Sequence, residues 1–197
     1  VVWSARLDSD AAAAALARTP HTDRDLAEFA AAPDAGHRLL RRRLTRALVA
    51  ALAGMPAEAL LFGRTPQGAP TVLSPKDWHV SVAGRAPLCL IGASPEPIGV
   101  DVEPYDEAPP LWDMLMETER ADLEALAGRE QPHEWLRRWT AKEAHAKRLG
   151  YARFADPAAI ATYRDGGALL ARSPEGTSRL YVRSEGGSIE AVALAAP

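Results

Sequence analysis

Between Asp34 and Gly54 the apolar residues Leu39, Leu40, Leu44, Ala47, Leu48 and Ala51 recur at helical spacing. The pattern predicts a helix over 34–53, opened by Asp34 as a cap and stopped by Gly54. The arginines of that stretch, Arg38, Arg41, Arg42, Arg43 and Arg46, fall largely on the remaining surface. Ahead of it, Val1 to Leu7 alternates as a strand does, and the alanine run from Ala11 to Ala17 reads as a surface helix. Beyond it come a short strand from Leu60 to Gly63 and a Pro/Gly-rich loop over 65–70. Two more strands follow, Trp78 to Ala83 and Leu88 to Ala93, around a turn containing Gly84. Ser94-Pro95-Glu96-Pro97 then breaks the pattern, and so short a segment reads as a connection between halves rather than a free linker.

The second half repeats the mixture. A strand from Ile98 to Glu103 leads through a Pro-rich loop to helical segments over 111–127, then to a long helix from Pro132 to Leu149 stopped by Gly150. Three or four strands finish the chain, near 160–164, 168–172, 179–183 and 188–194. The expected class is α+β, with an N-terminal lobe over 1–94 and a C-terminal lobe over 95–197. Identity between the halves is too low to demonstrate a repeat.

Composition narrows the function classes. The chain has 197 residues, 47% hydrophobic and 25% charged, the balance of a soluble globular protein. A net charge of −3 leaves no global basic field to suit nucleic acid. The cations are clustered all the same, in the helix over 34–53 and again at Arg137, Arg138, Lys142, Lys147 and Arg148. The single cysteine, Cys89, excludes a disulfide framework and a multi-cysteine zinc site, and its apolar surroundings suggest a buried, inert thiol. No apolar run approaches the ~20 residues of a membrane span, and no signal-peptide pattern opens the chain, so the expected compartment is the cytoplasm.

Two segments carry candidate chemistry. In Gly99-Val100-Asp101-Val102-Glu103, strand alternation puts both carboxylates on one side and both valines on the other. Paired same-side carboxylates are unfavourable unless solvated or shared with a cation, and such oxygen donors suit magnesium. A merely acidic outer strand face explains the same residues. In Trp139-Thr140-Ala141-Lys142-Glu143-Ala144-His145-Ala146-Lys147, Glu143 and Lys147 stand one helical turn apart, with Lys142 beside them. A carboxylate among cations suits a metal-bound diphosphate, whereas a solvated face with a routine ion pair is the plainer reading.

Together, in this order and at this separation, the two segments resemble the two signature motifs of the 4′-phosphopantetheinyl transferases. These are a Gly-(Ile/Val)-Asp-(Ile/Val)-Glu strand and a Trp-(Ser/Thr)-x-Lys-Glu-(Ala/Ser)-x-x-Lys helix. Length and layout are similar to the monomeric, Sfp-type subgroup, in which two similar α/β lobes pack as a pseudo-dimer. The resemblance covers roughly residues 34–170.

The resemblance implies magnesium-dependent transfer of phosphopantetheine from coenzyme A to a serine of an apo acyl- or peptidyl-carrier protein. Asp101, Glu103 and Glu143 resemble the metal ligands. Lys142 and Lys147 resemble the pair that binds phosphate and assists the leaving group, Glu119 resembles an acidic residue near the metal-bound water, and Glu143 is the expected base. Coenzyme A contacts are expected at Gly68 and Pro70, where relatives carry Gly-Lys-Pro and this chain has Gly68-Ala69-Pro70. They are expected too at His79 and Ser81, in a strand where Val82 replaces the usual histidine, and at Arg38 and Arg42 on the arginine-rich helix. Arg137, Arg138 and Arg148 would offer a basic face to an acidic carrier helix.

Phosphate-loop, dinucleotide-fold, zinc-protease and nucleophile-elbow motifs are absent from the sequence. The remaining alternatives are a catalytically silent relative that binds coenzyme A or a carrier, an unrelated nucleotidyl- or phosphoryl-transfer enzyme, and a nucleic-acid surface on the arginine-rich helix.

Overall fold

The computed structural model describes residues 1–196. Within them the chain is mixed α/β, with five α-helices and ten strands in three sheets. Strands β1 (Val2–Arg6), β4 (His79–Arg85) and β5 (Leu88–Ser94) form an antiparallel sheet in the order β1-β5-β4. Strands β2 (Leu61–Arg64) and β3 (Pro70–Ser74) pair separately. The strands after residue 98 form one five-stranded antiparallel sheet, ordered β6-β10-β9-β8-β7. These are β6 (Gly99–Pro104), β7 (Ala161–Asp165), β8 (Ala168–Ser173), β9 (Gly176–Glu185) and β10 (Ser188–Ala195).

Helix α3 (Ala35–Ala53) lies where the apolar spacing predicts, and Gly54 ends it in the left-handed region at φ 63°. Its buried Leu44 packs with Ala12, Cys89 and Ile91, while Val49 and Ala50 pack with Leu60, Phe62, Val72 and Val80. Helix α1 (Asp10–Ala17), expected only on the surface, thus contributes a fully buried Ala12 to this core. Asp34 is the N-cap residue of α3, but its side chain makes no capping hydrogen bond; its carboxylate pairs instead with Arg38 and Arg41. Burial pushes the Cys89 thiol up to about 11, in keeping with an inert role.

Helix α2 (Asp23–Phe29) was not anticipated, although Thr22 and Asp25 cap its first turn reciprocally. Strand β3 was not anticipated either, and Gly84 lies within β4 rather than in the turn.

Helix α5 (Gln131–Leu149) crosses the large sheet on a face of small residues. Ala141, Ala144 and Ala146 pack there against Ile160, Ala171, Leu180, Ala191 and Ala193. The approach is closest at Gly99: a Cβ there would stand 1.9 Å from the Ala144 carbonyl oxygen and 2.5 Å from the Arg148 amide. Gly99 therefore lets β6 press directly on the helix backbone, which fixes Asp101 and Glu103 relative to Glu143 and Lys147. Val100 and Val102 face the core with Ala83, Leu90 and Ile98. Strand β6 also lies against β4, where the Val100 amide donates to Ser81 Oγ at 3.0 Å.

Candidate functional site

Two adjoining cavities occupy this region. The smaller, about 310 Å³, is lined by Asp101, Glu103 and Glu143 together with Arg41, Arg85 and Lys147. The larger, about 810 Å³, is lined by β4, the 65–70 loop, the end of α5 and the residues just after it. Arg38 and Lys147 line both.

In the acidic cavity each carboxylate is in a different state. Asp101 is 4% exposed, and its Oδ1 accepts from Lys147 Nζ at 2.6 Å. Its Oδ2 is buried with no hydrogen-bond partner among the described residues. Glu103 accepts from Arg85 Nε at 2.9 Å and Nη2 at 3.2 Å. Glu143 makes no side-chain hydrogen bond or ion pair among the described residues, although it is half-buried.

Burial holds the Asp101 carboxyl above its ordinary pKa against the opposing pull of Lys147. Burial and the neighbouring Asp101 charge likewise raise Glu143. Carboxylates gathered around an unsatisfied buried oxygen are the side chains here that could hold a cation. The donors are all oxygen, as a hard divalent ion requires. Among the described residues no three acidic, histidine or cysteine side chains converge closely enough to hold a metal unaided.

The structure seats Lys142 and Glu119 outside the acidic cavity. Adjacent positions on a helix diverge by about 100°, and Lys142 points away from Glu143 into the protein, where it is 1% exposed. Its Nζ donates to Glu119 Oε2 at 2.5 Å, the Met114 carbonyl at 3.0 Å and the Pro157 carbonyl at 2.8 Å. Glu119 also accepts from the Thr162 amide and hydroxyl and from the Met116 amide. Every donor and acceptor of the pair is filled, and neither residue lines the acidic cavity.

Arg42 is likewise engaged internally. It is buried, bonded to Glu28 at 2.8 Å and stacked on Phe29 and Phe62, and it does not line the larger cleft. Arg46, further along α3, bonds Asp25 and the Leu60 carbonyl. Gly68, Pro70, His79 and Ser81 do line the larger cleft, as does Arg38, which is paired with Asp34. The Ser81 hydroxyl is committed to the Val100 amide.

The basic face expected at Arg137, Arg138 and Arg148 does not form as a set. Arg137 bonds Glu134; Arg138 bonds Glu134 and Asp122; Arg148 bonds Ser178 and the Thr177 carbonyl. Four cleft and cavity residues outside the predicted set are Arg41, Arg64, Arg85 and Arg153. Arg41 belonged to the visible arginine cluster, but the others stood alone in the sequence with no local pattern to distinguish them.

A mixed α/β protein with an acidic cavity opening beside a cation-lined cleft is the class that fold and site define. The model of the 4′-phosphopantetheinyl transferase superfamily matches residues 97–195, about half of the chain, and the chain belongs to that superfamily. The matched span contains Asp101, Glu103, Glu143 and Lys147. No curated protein matches the chain. Among the described residues no helix is long and apolar enough to cross a membrane.

Proposed function

We propose that this chain transfers 4′-phosphopantetheine from coenzyme A to a serine hydroxyl of an apo acyl- or peptidyl-carrier protein. Phosphopantetheine transfer in general follows from the family. The observation that carries the finer reading is the acidic cavity, where, among the described residues, neither Glu143 nor Asp101 Oδ2 has a side-chain hydrogen-bond partner.

Asp101, Glu103 and Glu143 would hold a magnesium ion there, and the ion would supply positive charge for the diphosphate. The serine oxygen forms a bond to the β-phosphorus while the bond from that phosphorus to the bridging oxygen breaks. The electron pair leaves with adenosine 3′,5′-bisphosphate. Glu143 would take the serine proton, directly or through water. Lys147 lines both cavities, so its ammonium can meet the negative charge that gathers on the departing phosphate.

The layout supports the Sfp-type reading, with lobes over 1–94 and 95–197. A long helix packs on an antiparallel sheet once in each part, α3 against β4 and β5 and α5 against β6 and β10.

Intact-mass spectrometry of apo carrier incubated with this protein, coenzyme A and magnesium tests the proposal. A gain of one phosphopantetheine group, abolished by a chelator, is expected. No gain across acyl and peptidyl carriers, with coenzyme A still bound, would replace the reading with a silent binding module.

A further inference from the structure

Among the described residues, every arginine or lysine lining the larger cleft but two is paired with a carboxylate. Arg38 pairs with Asp34, Arg64 with Glu28 and Lys147 with Asp101. Arg153 is one exception, and it is exposed. Arg148 is the other, and it is half-buried. Its Nε donates to Ser178 Oγ at 2.7 Å and its Nη2 to the Thr177 carbonyl at 2.7 Å, both neutral acceptors. A guanidinium taken partly out of water without a counter-charge is unfavourable, and an anionic ligand would relieve it.

The hydroxyl that holds Arg148 is itself held. Ser178 is fully buried on β9, paired with Ala171 of β8 on one side and Ala195 of β10 on the other. Its Oγ stands 2.6 Å from His145 Nδ1, and His145 Nε2 stands 3.0 Å from Ser173 Oγ on β8. Because Ser178 Oγ accepts from Arg148, its own proton goes to Nδ1. That assigns the ring proton to Nε2, which donates to Ser173. His145 and Ser178 are 0% exposed, and neither they nor Ser173 line the larger cleft or the acidic cavity. No substrate reaches this serine–histidine cluster, so it can act on the site only through Arg148.

We infer that His145 is a positioning residue for the proposed transfer: through Ser178 it aims the Arg148 guanidinium at the anionic donor in the larger cleft. This rests on the transferase reading of the site. The backbone of Arg148 is fixed separately, at the end of α5 against Gly99, where a Cβ would stand 2.5 Å from the Arg148 amide. Helix end and strand hydroxyl thus define the two ends of the side chain, and Nη1 is left without a partner among the described residues. Holding a long side chain in one rotamer spares the entropy that ligand binding would otherwise cost. Arg148 lines the larger cleft and not the acidic cavity, so its contribution belongs to donor binding rather than to the chemical step.

Replacing His145 by each of the two amides separates this relay from simple core filling. His145→Asn keeps a polar atom near the place of Nδ1, in reach of Ser178, whereas His145→Gln keeps one near the place of Nε2, beside Ser173. Both should lower the melting temperature. In titration calorimetry of the full chain, His145→Gln should weaken coenzyme A binding about five-fold, the scale of one hydrogen bond. Its KM for coenzyme A should rise by the same factor with kcat within about two-fold. His145→Asn should bind within about two-fold of the parent. Ser178→Ala, which removes the link and leaves the histidine, should match His145→Gln. In an Arg148→Gln background, His145→Gln should weaken binding no further. Parent-like binding by Ser178→Ala, equal weakening by both amides, or an undiminished effect in the Arg148→Gln background would overturn the assignment. So would no binding of coenzyme A by the parent protein. The expected binding pattern without carrier modification would leave it standing while the transfer reading fails.

Discussion

Lys142 and Glu143 are neighbours in sequence, yet they belong to regions built on opposite principles. The Lys142 ammonium has three acceptors, and Glu119 opposite it is filled on both oxygens. One residue along, Glu143 has no partner among the described residues, and it lines the same cavity as Asp101, one oxygen of which is buried and unsatisfied among them. Buried polar groups normally find partners, so a saturated pair reads as architecture and an unsatisfied cluster reads as a place for a ligand. The arginines divide the same way. Arg42 and Arg46 are spent on Asp25, Glu28 and the Leu60 carbonyl, whereas Arg153 is unengaged beside the cleft.

Substitution on the two sides should separate these roles. Glu143→Gln removes the proposed base and should lower carrier modification by about 10²-fold or more. Its melting temperature should hold or rise, because a carboxyl raised by burial and by Asp101 is a repulsive group in the fold. Initial rates by mass spectrometry and a thermal melt check both halves. Comparable rates in the variant would move the base elsewhere.

Lys142→Met should behave oppositely. It strands the Glu119 carboxylate at 1% exposure, and breaking such a buried pair typically destabilises by about 3–5 kcal/mol. For a chain of this size that is a fall in Tm of roughly 10 °C. Adding Glu119→Gln should recover part of the loss, since the remaining group is then neutral and can still accept from Thr162. A Lys142→Met protein that melts normally but fails in transfer would return Lys142 to the chemistry.

The sequence made much of the second half legible because two constraints act locally there. The valine–carboxylate alternation of β6 needs only a strand with one face in the core, and Val100 and Val102 are indeed buried. A glycine at position 99 leaves room for a close neighbour, and the group that approaches is the backbone of α5 at Ala144 and Arg148. What sequence could not give was the direction of side chains once tertiary partners compete. Lys142 fits a phosphate-binding motif, but Glu119 and two carbonyls take its donors from across the fold. The pairing of Arg64 with Glu28 spans 36 positions, and Arg153 meets the Gly68 turn from the other half of the chain. Helix α2 was missed although Thr22-Asp23-Arg24-Asp25 carries a capping pattern, because the whole helix is only seven residues long.

Arg85 offers the finest test of the comparison, because it stands on the border between the two principles. Its guanidinium holds both oxygens of Glu103, as a structural pair would, yet its side chain is 63% exposed and the pair lies within the acidic cavity. An ion pair that exposed contributes little to folding. Its stronger consequence is electrostatic, for Arg85 brings a positive charge to carboxylates proposed to receive a divalent cation. Arg85→Gln should therefore leave the melting temperature nearly unchanged and tighten magnesium binding a few-fold, as the ion no longer competes for Glu103. Calorimetric titration of the metal alone, without coenzyme A or carrier, measures this apart from turnover. Weaker binding in the variant would mean that Arg85 orients Glu103 for the ion, and that the pair belongs with the positioning machinery of the cavity.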